Sequence, residues 1–176
     1  YNGGEIDGFN AETAPIFLPN QIGGYMPAEP GKPALEGKRG EPEDDKKSPN
    51  AALVALSKGY VVASPGARGR TEPTGKAPAA IVDLKAAVRY LKANNKVMPG
   101  DAEKIISNGT SAGGAMSALL GATADQKDYE KYLKALGAAD GSDKIFAVSA
   151  YCPIPIWSMP TWLMNGSSTA LTTTKK

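Results

Sequence analysis

Short apolar runs bounded by glycine and proline alternate along this chain with longer stretches whose apolar residues recur at helical spacing. Tyr60 to Ser64 (YVVAS) is almost wholly apolar and stops at Pro65-Gly66, the pattern of a strand buried on both faces of a parallel sheet. From about Pro78 to Asn94, Ile81, Leu84, Val88 and Leu91 share one helical face, and Asn94-Asn95 marks the end. Lys104 to Asn108 (KIISN) reads as another apolar strand, followed by a helix of small and apolar residues from Ala112 to Leu120. Tyr129, Tyr132, Leu133 and Leu136 predict a further amphipathic helix, with Asp125 as its cap and Gly137 just past its end. Ile145 to Tyr151 closes the pattern as a last strand.

Upstream, a stretch rich in Gly and Asn runs to Pro30, broken by the apolar Ile16-Phe17-Leu18. Pro27 to Pro49 mixes proline, glycine and both signs of charge, which predicts a long exposed loop and not a linker between domains. Ser48-Pro49 predicts a helix start, with Ser as N-cap, Pro in the first helical position and the apolar run Ala51 to Leu56 ending at Gly59. The alternation of strands and helices predicts an α/β fold of about four strands, a mostly parallel sheet flanked by helices, with no internal repeat.

Composition narrows the function classes. With 41% hydrophobic and 22% charged residues, the 176-residue chain suits one ordinary globular domain. A formal charge of +2 is too small to suggest nucleic acid, and the stretches Glu36 to Lys47 and Asp125 to Lys134 mix both signs as solvated surface does. No run approaches the about 18 apolar residues of a membrane span. Cys152 is the only cysteine and there is no histidine, so carboxylates alone remain as metal ligands, and they lack the spacing of a calcium loop. Neither a metal nor another cofactor is expected.

The candidate chemistry lies in Asn108 to Gly114 (NGTSAGG), whose core Gly109-Thr110-Ser111-Ala112-Gly113 fits the Gly-x-Ser-x-Gly nucleophile elbow of serine hydrolases. It follows an apolar strand and precedes a helix, the context in which a strained turn can present a serine. A serine hydroxyl needs a base to take its proton, in such sites nearly always a histidine, and this chain has none. An oxyanion hole needs two backbone amides. Ala112, at a helix N-terminus, supplies one, and Gly3 or Gly4 in Asn2-Gly3-Gly4 is a candidate for the other, with a plain turn as the alternative. Arg68 and Arg70 follow the carboxyl end of a strand, where they either hold an acidic or phenolic substrate group or tie down loop carbonyls. Tyr25, with Met26 and Pro27, suits one wall of a pocket for an aromatic acyl group, or simple surface packing.

NGG near the start, PIFLPNQIGGYMP at 15 to 27, VVASPGARGR at 61 to 70 and SNGTSAGGAMSALLGAT at 107 to 123 resemble bacterial α/β-hydrolase esterases of the tannase (subtype B) and feruloyl esterase type. The resemblance covers residues 1 to about 154. It implies hydrolysis of a small-molecule ester of a plant phenolic acid, with Ser111 as nucleophile and the Gly3/Gly4 and Ala112 amides as oxyanion donors. In such enzymes the acid and the histidine follow later strands, so residues 1–154 are expected to form a partial α/β-hydrolase catalytic domain, incomplete at both ends and inactive alone. A serine peptidase of the same fold and a non-catalytic pseudoenzyme or binding fragment stay open as alternatives.

After Ile154 the family pattern stops, and Pro155 to Lys176 shows no periodicity and a low-complexity end. We expect residues 155–176 to be an aberrant, unstructured tail read out of frame. With one base restored after the Ile154 codon, Met159-Pro160 becomes Ala and Met164-Asn165 becomes Glu, where a family-like continuation has them. Sequencing the gene should show that this restored frame encodes histidine and continues an α/β-hydrolase domain. An intact frame that stops after Lys176, with a well-packed tail, would overturn the expectation.

Overall fold

The computed structural model describes residues 3–36 and 48–154. In chain order these form β1 (Pro15–Pro19), β2 (Leu35–Glu36), β3 (Ser48–Pro49), α1 (Ala51–Ser57), β4 (Val61–Val62), α2 (Ala79–Ala93), β5 (Asp101–Thr110), α3 (Ala112–Ala122), a 3-10 turn at Lys127–Tyr129, α4 (Glu130–Leu136) and β6 (Ala147–Tyr151). The apolar interruption at Ile16 to Leu18 becomes β1, which lies inside the main sheet. Proline at each end of β1 leaves the intervening amides free to make the ladder.

Strands β4, β1, β5 and β6 pair in that order, all parallel, which is the α/β sheet that the alternation predicts. Helix α1 packs on β1 and β4, whereas α2 and α3 pack on each other and on β5. The chain moves from β1 to β4 and then back across β1 to β5. Right-handed crossovers in opposite directions place α1 on one face of the sheet and α2 with α3 on the other. The core fills the second face: Ile16, Leu18 and Ile105 from the sheet meet Ile81, Leu84 and Val88 of α2 and Met116 and Leu120 of α3.

Three local expectations need correction. Ser48-Pro49 does not begin a helix. It forms β3 against β2, and the N-cap is Asn50, whose side chain accepts from the Leu53 amide at 3.0 Å. Asn50 wins because its amide group also reaches the Lys32 carbonyl at 2.8 Å, so one residue caps the helix and anchors the returning loop. Asp125 caps no helix. It has a φ of 56°, and its carboxylate accepts from the Ser142 hydroxyl and the Asp143 amide, both at 2.9 Å. Tyr60 to Ser64 keeps only Val61 and Val62 in the ladder, and both are half-buried because β4 is an edge strand among the described residues. Residues 155–176, expected to be an unstructured tail, lie outside the described residues.

A buried ionic cluster joins the helical layer. Lys85 of α2 and Asp143 are both almost wholly buried and meet at 2.7 Å, and Lys85 also donates to the Thr123 carbonyl at 2.6 Å. Arg89, one turn along, bonds Asp143 at 3.2 Å and also binds Glu130 of α4. That hydrogen bond to Arg89 holds the Glu130 carboxyl below its ordinary range and raises the Arg89 guanidinium. Two cations converge on Asp143, and because Arg89 keeps Glu130, removing the Asp143 carboxylate would strand the wholly buried Lys85 without a counter-charge. Asp143→Ala should cost about 3–5 kcal/mol in urea unfolding. A loss below about 1 kcal/mol would show that the cluster does not hold these helices.

Candidate active site

The direction of the chain reverses between β1 and β5, so the crevice at the carboxyl ends of these two strands is the place where an open α/β sheet binds ligands. A groove of about 440 Å³ opens there, lined by the loop after β1 (Asn20 to Gly23), the start of α1 (Asn50 to Ala52) and the end of β5 through Ser111. Ser111 stands between β5 and α3 with φ 85° and ψ −108°, a backbone state that costs a non-glycine residue about 1–3 kcal/mol. Its hydroxyl has no hydrogen-bond partner among the described residues, and it is half-exposed.

The backbone around Ser111 is fully engaged. Its amide donates to the Tyr151 carbonyl at the end of β6 at 3.0 Å, and its carbonyl accepts from Ala115 at 3.0 Å and Ile154 at 3.1 Å. The flanking glycines answer to crowding. A Cβ on Gly109 would collide with the Gly113 carbonyl and lie 2.6 Å from the Asn20 amide nitrogen, and one on Gly113 would lie 2.5 Å from the Asn20 side-chain oxygen. Gly114 is held close to β6 in the same way, since its Cβ would stand 2.6 Å from the Tyr151 carbonyl oxygen. The three glycines thus bring the first turn of α3 onto the strand ends. Ala112 begins that helix, and its N–H has no acceptor among the described residues.

Gly3 and Gly4 are not at this groove. They line a separate hollow with Asn10, Ala11 and Glu12, and the Ala11 carbonyl accepts from Gly100 at the amino end of β5. The length of β1, about 13 Å at about 3.3 Å per residue, separates that edge of the sheet from Ser111. The structure therefore does not bring Gly3 or Gly4, the expected source of a second oxyanion amide, to Ser111. The loop that does face Ser111 is Gln21-Ile22-Gly23, within the string PIFLPNQIGGYMP. Gly23 offers an amide with no acceptor among the described residues, while its carbonyl accepts from Met26 at 3.0 Å across a turn in which Gly24 and Tyr25 both have positive φ.

Arg68 is engaged by Asp83 of α2. Its Nε and Nη2 donate to that carboxylate at 2.7–3.1 Å, and Nη1 donates to the Thr74 carbonyl at 3.3 Å. The hydrogen bond to Asp83 raises its pKa. Arg70 donates through its backbone to Tyr25 at 2.8 Å and through Nε to the Gly24 carbonyl at 3.0 Å. Arg70 and Tyr25 border a second, mainly apolar cavity of about 160 Å³ with Ile81, Met116, Leu119 and Tyr129. Burial raises the Tyr25 phenol, which donates to the Ile154 carbonyl at 2.7 Å. Tyr25 and Arg70 are thus brought together, two hydrogen bonds removed from Ser111, and Arg68 is not with them. The strained serine generates a test: Ser111→Gly should raise stability by about 1 kcal/mol in urea unfolding, whereas Ser111→Ala keeps the strain and changes it little. A destabilising Ser111→Gly would mean that the turn is not strained.

Residues 38–174 match the family BD-FAE, so the match runs on past Ile154, where the family pattern was expected to stop. Among solved structures, the tannase of Fusobacterium nucleatum is 60% identical with a TM-score of 0.79, covering 87% of this chain and 32% of its own. The tannase of Lactobacillus plantarum is 46% identical with a TM-score of 0.73, over 87% of this chain and 33% of its own. A tannin acyl hydrolase in complex with ethyl gallate is 47% identical with a TM-score of 0.73, over 87% and 34%. No match was found among curated proteins. The chain spans about a third of the length of these tannases. With a parallel sheet and a strained serine at its switch point, and with more than half its length matched, the chain belongs to the BD-FAE family and is tannase-like in fold.

Proposed function

We propose that this chain carries the nucleophile and oxyanion hole of a serine carboxylic-ester hydrolase that acts on esters of phenolic acids, as tannases and feruloyl esterases do. The observation that carries the reading is the positive φ of Ser111 at the carboxyl edge of β5. A serine in this backbone state costs stability that a glycine would not, which supports a role for a hydroxyl that stands clear of the backbone. The matched structure with ethyl gallate, an ester of a phenolic acid, supports the substrate class.

In this proposal Ser111 Oγ attacks the ester carbonyl carbon. The negative charge that develops on the carbonyl oxygen is met by the amides of Ala112 and Gly23, which are fixed before the reaction and aided by the N-terminus of α3. Collapse breaks the ester C–O bond: the alcohol leaves protonated, the Ser111 proton passing to it through solvent water, and a second water hydrolyses the acyl group on Ser111 to the acid and restores the hydroxyl. Of the three side chains expected on the substrate, the proposal keeps Tyr25 and Arg70, which border the apolar cavity, and releases Arg68, which Asp83 engages. The chain has no histidine to take the Ser111 proton, so the proposal assigns it a poised nucleophile and not rapid turnover.

Methyl gallate and methyl ferulate should therefore be hydrolysed at near-background rate by this chain, while a fluorophosphonate should label Ser111 slowly and leave Ser111→Ala unlabelled. A folded chain that takes no label would overturn the nucleophile. Turnover above about 1 per second that is lost in Ser111→Ala would show that another group serves as base.

A further inference from the structure

Asn20 follows β1 directly and is buried, with 6% of its surface exposed. Its amide nitrogen reaches three acceptors: the Asn108 carbonyl at 3.0 Å, the Gly113 carbonyl at 3.1 Å and the Ser117 hydroxyl at 2.9 Å. Its side-chain oxygen accepts from the Ile22 amide at 3.3 Å, and its own backbone amide donates to Asn108 at 2.9 Å. One side chain thus holds the end of β5, the first turn of α3 and the loop that faces Ser111. Ser117 carries the connection on to Ser107 of β5 at 2.9 Å, and both hydroxyls are wholly buried.

The positions of these contacts matter more than their number. The two amides proposed to meet the oxyanion are those of Ala112 and Gly23. Gly113, whose carbonyl Asn20 holds, directly follows Ala112, and Ile22, whose amide Asn20 holds, directly precedes Gly23. Asn20 also crowds both glycines: a Cβ on Gly113 would strike its side chain first, and one on Gly109 would meet the Gly113 carbonyl and then the Asn20 amide nitrogen. A purely structural amide at this depth needs only to satisfy its own donors and acceptor. This one does so through atoms one residue away from each proposed oxyanion donor.

We infer that Asn20 is a positioning residue that sets the spacing of the Gly23 amide relative to the Ser111 turn. The inference rests on the reading of Ser111 as a nucleophile. Aspartate at position 20 has the same shape, yet it turns the donor into an acceptor that faces the Asn108 and Gly113 carbonyls.

The test measures fluorophosphonate labelling of Ser111 in the full chain across reagent concentrations, for wild type, Asn20→Asp, Asn20→Ser and Ser117→Ala. Amide hydrogen exchange is followed in parallel. Both Asn20 variants should lower the maximal labelling rate at least tenfold, with the half-saturating concentration within twofold. Ser117→Ala should stay within threefold. Exchange should quicken at Ile22 in Asn20→Ser, which removes its acceptor, while the α2 amides keep their protection in both Asn20 variants. A wild-type chain that takes no label overturns the reading of Ser111, and this inference with it. A labelled wild type with Asn20 variants that react as fast overturns the inference alone. Loss of α2 protection in both Asn20 variants would make Asn20 a structural residue only, and that too would overturn it.

Discussion

The close approach of a helix to the end of a strand governs this structure. Helix α3 starts one residue after Ser111, so β5 must reverse into a helix with almost no connecting chain. That turn is possible only where Gly109 and Gly113 leave room for each other and for Asn20, and where Ser111 accepts a φ of 85°. The serine is half-exposed as a consequence of this geometry. The strain of about 1–3 kcal/mol is held in place because the surroundings leave the backbone of Ser111 no other partners: Tyr151, Ile154 and Ala115 take its amide and carbonyl.

The rest of the fold supports that turn from two sides. On one side, β1 lies beside β5 and delivers Asn20 and the Gly23 loop to the same edge. On the other, β6 pairs with β5 through Thr110 and Tyr151, so the last ladder position adjoins the serine itself. Behind both, α2 and α3 pack their apolar faces on the sheet, and Lys85, Arg89 and Asp143 tie α2 to the segment after α4. A buried ion cluster of this kind contributes little net stability, because desolvation offsets attraction, but an alternative packing of these helices would leave its charges unpaired.

Family membership and chain length divide the function. The chain contains a strained turn that presents Ser111 and the loop that faces it, and it spans about a third of the tannases it matches. A hydrolase of this type also needs a proton acceptor, and this chain holds no histidine. Ser111 is strained and half-exposed, and among the described residues its hydroxyl has no hydrogen-bond partner, because its conformation is set by backbone crowding and not by a hydrogen bond from an imidazole.

The sequence by itself determined the elements whose pattern is local. Helical spacing located α2 within a residue of its ends, alternation identified the parallel α/β class, and the glycine-serine string between an apolar strand and a helix located Ser111. It could not decide which loop faces the serine. Gly3-Gly4 and Gly23-Gly24 are equally glycine-rich, and only the pairing of β1 beside β5 places one at the carboxyl edge and the other at the amino edge. The same holds for Arg68, whose partner Asp83 is 15 residues away on α2, and for Asn20, whose contacts lie about 90 residues along the chain. Such contacts depend on strand order and crossover direction, which emerge when the whole sheet assembles and which no local window of residues contains.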